Sequence, residues 1–120
     1  VMSLSPQDMA DLAAFFAKQK PSPGSADEAR ISMGEKLYRG GNKATGVSAC
    51  IACHGPTGAG NPAAKYPLMS GQHTAYTVKA LKDFRSGARK NDPGKMMQNI
   101  AARMTDAEID AVSSYMQGLH

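Results

Sequence analysis

The run Cys50-Ile51-Ala52-Cys53-His54 constrains the chain more than any other stretch. It has the form C-x-x-C-H, the attachment signature of c-type haem. The spacing has a chemical reason. Two thiols three positions apart on one tight helical turn can both reach the vinyl groups of a haem and close two thioether bonds. The next residue, His54, then projects beneath the ring and can donate a nitrogen to the iron as proximal ligand. Both cysteines of the chain lie in this run, so none is left for a disulfide.

Two other chemistries use a C-x-x-C pair. A thioredoxin-like dithiol sits beside a strand-helix-strand pattern, and none surrounds this one. A zinc site needs four ligands; only His73 and His120 remain as further nitrogen donors, and nothing in the sequence pairs them with the cysteines.

At 120 residues the chain suits one compact domain. No apolar run approaches bilayer-spanning length, and no charged start followed by an apolar stretch and a cleavage site is present. The formal charge is +4, and six of the fourteen basic residues (Lys79, Lys82, Arg85, Arg89, Lys90 and Lys95) fall between 79 and 95, against Asp83 and Asp92. No aromatic interleaving or known motif there supports nucleic-acid binding. The cluster reads either as a solvated helix face and loop or as a surface that steers an acidic partner.

Along the chain the hydrophobic period is helical and no strand run with turn chemistry occurs, which predicts an all-α fold of short helices around a prosthetic group. Ser5-Pro6-Gln7-Asp8 opens a first helix, with Ser as cap and Pro at the first helical position. Met9, Leu12, Ala13 and Phe16 give it an apolar stripe, and it ends near Lys18 to Lys20. Pro21 to Ser25 is a Pro/Gly/Ser linker. A second helix from about Asp27 to Tyr38 carries Ile31, Gly34, Leu37 and Tyr38 on one side. Gly34 costs about 1 kcal/mol in a helix interior and implies close approach of another helix. Gly40 to Ser48 and Gly55 to Lys65 read as irregular chain. A third long helix shows Tyr76, Ala80, Leu81 and Phe84 as its apolar side and stops at Gly87. Asp92-Pro93-Gly94 marks a turn, and a short helix starts at Lys95 or Met96. Thr105-x-x-Glu108 is a capping box for a last helix with Ile109, Val112 and Met116 at helical spacing.

The first and last helices echo each other. At an offset of 100, nine of the thirteen pairs between residues 4–16 and 104–116 are similar, among them Ser5/Thr105, Asp8/Glu108, Leu12/Val112 and Phe15/Tyr115. Any two capped amphipathic helices share some of this. A duplication whose first copy is almost wholly missing explains it as well.

A haem iron held by His54 has one axial position to settle, open to gas or peroxide or closed by methionine, which raises the potential. Downstream stand Met69, Met96, Met97, Met104 and Met116. Met104 and Met116 fit helix faces as core, and Met69 fits packing near the ring. Met96 and Met97 come after a polar turn, where a loop can cross the distal face; periodicity does not choose between them.

The helix with Gly34 and Tyr38, the C-x-x-C-H run and a loop methionine before a C-terminal helix together resemble class I cytochrome c. More narrowly, Tyr66-Pro67-Leu68-Met69-Ser70-Gly71-Gln72-His73, Phe84-Arg85-Ser86-Gly87, Arg89-Lys90-Asn91-Asp92 and Ser114-Tyr115-Met116-Gln117-Gly118-Leu119 resemble the second domain of di-haem cytochrome c4. The resemblance implies one haem c, thioether-linked to Cys50 and Cys53, with iron between His54 and Met97. It also implies that the Pro67 carbonyl accepts the Nδ1 hydrogen of His54. The departure from the family is that one haem motif is present, not two. The implied organisation is residues 1–20 as the closing helix of an absent first haem domain, 21–26 as linker and 27–120 as the cytochrome domain.

The function implied is one-electron transfer without catalytic residues, from a quinol-oxidising complex toward a terminal cytochrome oxidase, in the bacterial periplasm. Export of such a protein requires a signal peptide that this chain lacks. The resemblance leaves room for membrane association of the parent protein, and the uncovered first helix for self-association. Two rival readings are a haem enzyme or sensor with an open or displaceable sixth site, and an electron-transfer module of a larger oxidoreductase.

Overall fold

A computed structural model describes residues 1–120. It contains six α-helices: α1 Pro6–Ala17, α2 Glu28–Gly40, α3 Ile51–His54, α4 Thr74–Ser86, α5 Met96–Ala101 and α6 Asp106–Gly118. There is no sheet. Two isolated antiparallel bridges, Asn42 with Val47 and Asn61 with Tyr66, close the loops before and after α3.

The buried centre is α6, whose residues from Ala111 to Met116 are all inside. Its start is fixed locally. The Thr105 hydroxyl accepts from the Glu108 backbone N–H, and the Glu108 carboxylate accepts in return from the Thr105 N–H at 2.8 Å. The other Glu108 oxygen accepts from Asn42 at 2.7 Å, tying the loop after α2 to the same helix start. Helices α2 and α4 lie against α6, α5 lies against α4, and α3 against α2.

Gly34 sets the α2–α6 crossing. A Cβ at this position would fall 2.4 Å from the Ala111 carbonyl oxygen and 2.6 Å from the Tyr115 Cβ. Alanine would gain about 1 kcal/mol of helix propensity, but overpacking of this kind costs roughly 1–3 kcal/mol. The close approach therefore explains a glycine inside a helix. Beyond it Leu37 and Tyr38 enter the core, with the Tyr38 and Tyr115 rings 5.6 Å apart.

Two helix faces differ from the sequence reading. On α4 the buried residues are Thr77, Leu81 and Phe84, while Tyr76 is 53% exposed. The sequence pattern favoured the aromatic, but the i, i+4, i+7 row that faces α6 runs through Thr77, whose hydroxyl lies 3.4 Å from the His73 carbonyl and so avoids an unpaired polar burial. On α2, Ile31 sits at the rim and Gly34, Leu37 and Tyr38 form the buried side.

The segment 21–26 reads from sequence as a spacer, yet it runs closely along α6. The Gln117 side chain donates to the Ser25 carbonyl at 2.9 Å and the Asp27 N–H donates to Ser114 Oγ at 2.8 Å. A Cβ on Gly24 would lie 2.6 Å from the Gln117 carbonyl oxygen, and one on Gly118 2.6 Å from the Ala26 nitrogen. Helix α1 is different. It opens with its own capping box, Ser5 with Asp8, and carries Met9, Leu12, Phe15 and Phe16, yet every one of its residues is exposed. It packs on no other helix.

Deleting residues 1–20 from the haem-loaded protein is expected to leave the thermal midpoint and the visible spectrum unchanged. A fall of more than about 4 °C, the size of a 1 kcal/mol loss, would mean that α1 stabilises the remaining helices.

Candidate cofactor site

The site begins in α3, a single turn. The His54 N–H donates to the Cys50 carbonyl at 2.9 Å and the Gly55 N–H to the Ile51 carbonyl at 3.0 Å. This turn places the Cys50 and Cys53 thiols on one short helix, both free and half-buried. His54, at the end of it, is buried. Its Nδ1 lies 2.9 Å from the Pro67 carbonyl oxygen, which can only accept, so Nδ1 carries a hydrogen and, in the neutral ring, Nε2 is the nitrogen with a lone pair. The loop that brings Pro67 there is folded tightly: the Gly60 N–H donates to the His54 carbonyl at 2.9 Å, and Asn61 pairs with Tyr66.

A second support comes from α2. The Tyr38 side chain is fully buried and its hydroxyl donates to the Gly55 carbonyl at 2.6 Å. This ties the residue after His54 to the helix that crosses α6. The sequence marks Tyr38 as core but gives no sign of this bond, because its partner is a backbone oxygen.

The methionines separate by burial. Met104 and Met116 are buried in the core cluster, and Met69 packs against it half-buried. Adjacent in the first turn of α5, Met96 is 41% exposed, whereas Met97 is half-buried against the core cluster.

The donor chemistry discriminates between the uses of such a site. A reactive dithiol needs a lowered thiol pKa, but burial pushes Cys50 up to about 11, with Cys53 adding to the effect. No set of three or more His, Cys, Asp or Glu side chains converges to hold a bare metal ion. A thiol pair with one imidazole, its Nδ1 occupied and Nε2 available, fits instead a group that takes two thioethers and one nitrogen ligand. That donor set suits haem.

An all-helical shell around a C-x-x-C-H turn defines a c-type haem protein. Residues 32–120 match the family described as Cytochrome c, and the chain belongs to that family, whose cofactor is covalently bound haem c with its iron. It is 54% identical to "Cytochrome c4" of Azotobacter vinelandii over 98% of this chain and 57% of that protein. The crystal structure of reduced recombinant cytochrome c4 from Pseudomonas stutzeri superposes with a TM-score of 0.95 at 51% identity, over 98% of this chain and 62% of that one. A more distant relative, "Thiosulfate dehydrogenase electron acceptor" of Thiomonas intermedia (strain K12), is 37% identical over 94% of this chain and 53% of its own length. The chain thus spans little more than half the length of these relatives.

The buried Tyr38 gives a pH test of the site's support. Burial, with Cys50 nearby, pushes its hydroxyl from 10.0 up to about 12. Between those values the unfolded chain has released the phenolic proton and the folded chain keeps it. The unfolded state then binds fewer protons, so stability is full below pH 10 and falls as pH rises toward 12. Tyr38→Phe should flatten that fall and cost about 1 kcal/mol at neutral pH for the lost hydrogen bond, read by denaturant unfolding. A slope that persists in the variant would assign the alkaline loss to another group.

Proposed function

We propose that haem c would be held by thioether bonds to Cys50 and Cys53, with His54 and Met97 as the ligands of its iron. The observation that carries this is the His54–Pro67 hydrogen bond, which leaves Nε2 as the free donor and sets the ring's orientation and basicity. The half-buried Met97 supports its role over the exposed Met96. Held in this way, the haem would supply one-electron chemistry, and the protein's work would be to hold both ligand side chains still and keep water away.

Residues 1–20, in this reading, close a partner haem unit, 21–26 connect and 27–120 form one complete unit. The exposed apolar side of α1 and the relatives' greater length favour it. We place the protein in the bacterial periplasm. There it takes electrons from a quinol-oxidising complex and passes them toward a cytochrome oxidase. The relative named as an acceptor of thiosulfate dehydrogenase favours a dehydrogenase as a second class of donor.

The charge distribution supports docking by an acidic partner. Residues 74–106 hold seven basic and three acidic side chains, and the other residues hold seven of each. All of the net +4 therefore lies on α4, α5 and the loop between them, the elements around Met97. Lys79 pairs with Asp83 and Arg85 with Asp106, while Lys82, Lys90 and Lys95 lie in no ion pair. Arg89 stacks over the Phe84 ring at 4.6 Å.

Met97→Ala in the haem-loaded protein should remove the weak long-wavelength band of methionine-bound ferric haem, lower the potential and admit cyanide readily. Met96→Leu should change little, since it nearly conserves volume. If the band tracks Met96, the axial assignment moves by one residue.

Steering predicts a salt dependence. The rate of electron transfer to an acidic redox protein should fall with rising ionic strength, and replacing Lys82, Lys90 and Lys95 by Gln should weaken that dependence. A rate indifferent to salt would remove the electrostatic part of the proposal and leave the ligand set untouched.

A further inference from the structure

Helix α5 has an unusual entry. It is preceded by two left-handed residues, Gly94 (φ 63°) and Lys95 (φ 55°). Lys95, at the cap position, makes no side-chain cap and holds a conformation that non-glycine residues adopt infrequently. The first turn of the helix is Met96, Met97 and Gln98. Its N–H groups have no partner within the helix and need one from outside.

Asp92 supplies it from four residues before the helix begins. One carboxylate oxygen accepts the Gln98 N–H at 2.9 Å, and the other accepts Gln98 Nε2 at 2.7 Å. The Asp92 carbonyl also accepts the Lys95 N–H at 3.2 Å. These bonds close residues 92–98 into a ring of chain that contains both methionines. Charge-assisted bonds to one side chain hold a backbone whose own torsions oppose the shape. No other side chain caps this turn.

We propose that Asp92 is the positioning residue for the axial methionine: through Gln98 it holds the first turn of α5 against release of Met97 from the iron. This rests on the reading of Met97 as ligand. An open and a closed form of the segment compete, and an outside ligand binds only the open one. Weakening the closed form raises that ligand's apparent affinity by the same factor.

The test uses imidazole as the outside ligand on the ferric, haem-loaded protein. Asp92→Ala should raise imidazole affinity by on the order of tenfold, weaken the long-wavelength methionine band and lower the potential. Asp92→Asn, which keeps an acceptor for the backbone bond, should restore most of the native behaviour. Gln98→Ala removes only the side-chain bond; it should give a smaller rise, and it decides the matter if Asp92→Ala does not load haem. Thr105→Ala is the control. It breaks the cap of α6 and costs stability without touching residues 92–98, so it should leave imidazole affinity unchanged.

Native affinity in both Asp92→Ala and Gln98→Ala, or an equal rise in Thr105→Ala, would overturn the proposal. The ligand reading fails separately, if Met97→Ala retains the band and Met96→Ala loses it.

Discussion

The contact between α2 and α6 governs the placement of the haem-motif turn and its histidine. With no side chain at Gly34, the backbone of α2 settles onto the Ala111 carbonyl. One turn later the same helix face delivers Tyr38 to the core, its ring against Tyr115 and its hydroxyl on the Gly55 carbonyl. Gly55 follows His54 directly, and its N–H donates to the carbonyl of Ile51, the first residue of the one-turn helix that follows Cys50 and carries Cys53 and His54. From His54 the next bond goes to Pro67. A contact between two helices thus becomes, in three further contacts, the orientation of an imidazole. A shift of α2 by a few tenths of an ångström would reach that ring, because a packed interior transmits displacement rather than absorbing it.

Part of this fold was legible in the sequence, and the reason is local chemistry. The Ser5 cap and the proline at the first position of α1, the Thr105–Glu108 capping box of α6 and the start of α5 at Met96 are set by neighbours within four residues. Gly34 announced a close approach because nothing else justifies its cost in a helix. What the pattern misjudged was set by distant partners. Tyr76 outranks Thr77 in hydrophobicity, but the face that meets α6 and the bond available to the Thr77 hydroxyl decide which goes inside. The docking of residues 21–26 rests on Gln117 and Ser114, some ninety residues away, and on glycines too crowded for a Cβ. In the sequence those same residues spell a free spacer. At the candidate site, the C-x-x-C-H turn was readable, whereas the bonds from Tyr38 to the Gly55 carbonyl and from the Gln98 N–H to Asp92 were not, since each has a backbone group as partner.

The two ends of the echo show how context decides the fate of the same local code. Helices α1 and α6 open with equivalent capping boxes and carry apolar residues at matching positions. One is the most buried element of the fold and the other has no buried residue. Capping and periodicity therefore specify a helix and its apolar side but not what that side will meet. Fully burying one Leu, Met or Phe side chain gains roughly 1.5–3 kcal/mol, so α1 as it stands forgoes what α6 obtains. That difference favours a role for α1 in covering a second haem unit over a role in this one.

The proposed electron transfer, with His54 and Met97 as ligands, would set a demand that these supports answer. A carrier works fastest when its ligands are in the same place before and after the electron arrives. Side chains on a turn of four residues and on a helix of six cannot meet this by themselves, because helices so short are marginal alone. Each is therefore fastened from outside: α3 by Tyr38 and Pro67, α5 by Asp92. The fastenings differ in kind. Those of α3 are neutral, and the one from Tyr38 is joined to the α2–α6 contact, whereas that of α5 is a carboxylate within the basic segment. With the proposed ligand set, the His54 side would be the more fixed part of the site and the Met97 side the part that responds to its surroundings, on the face where the proposed acidic partner would dock.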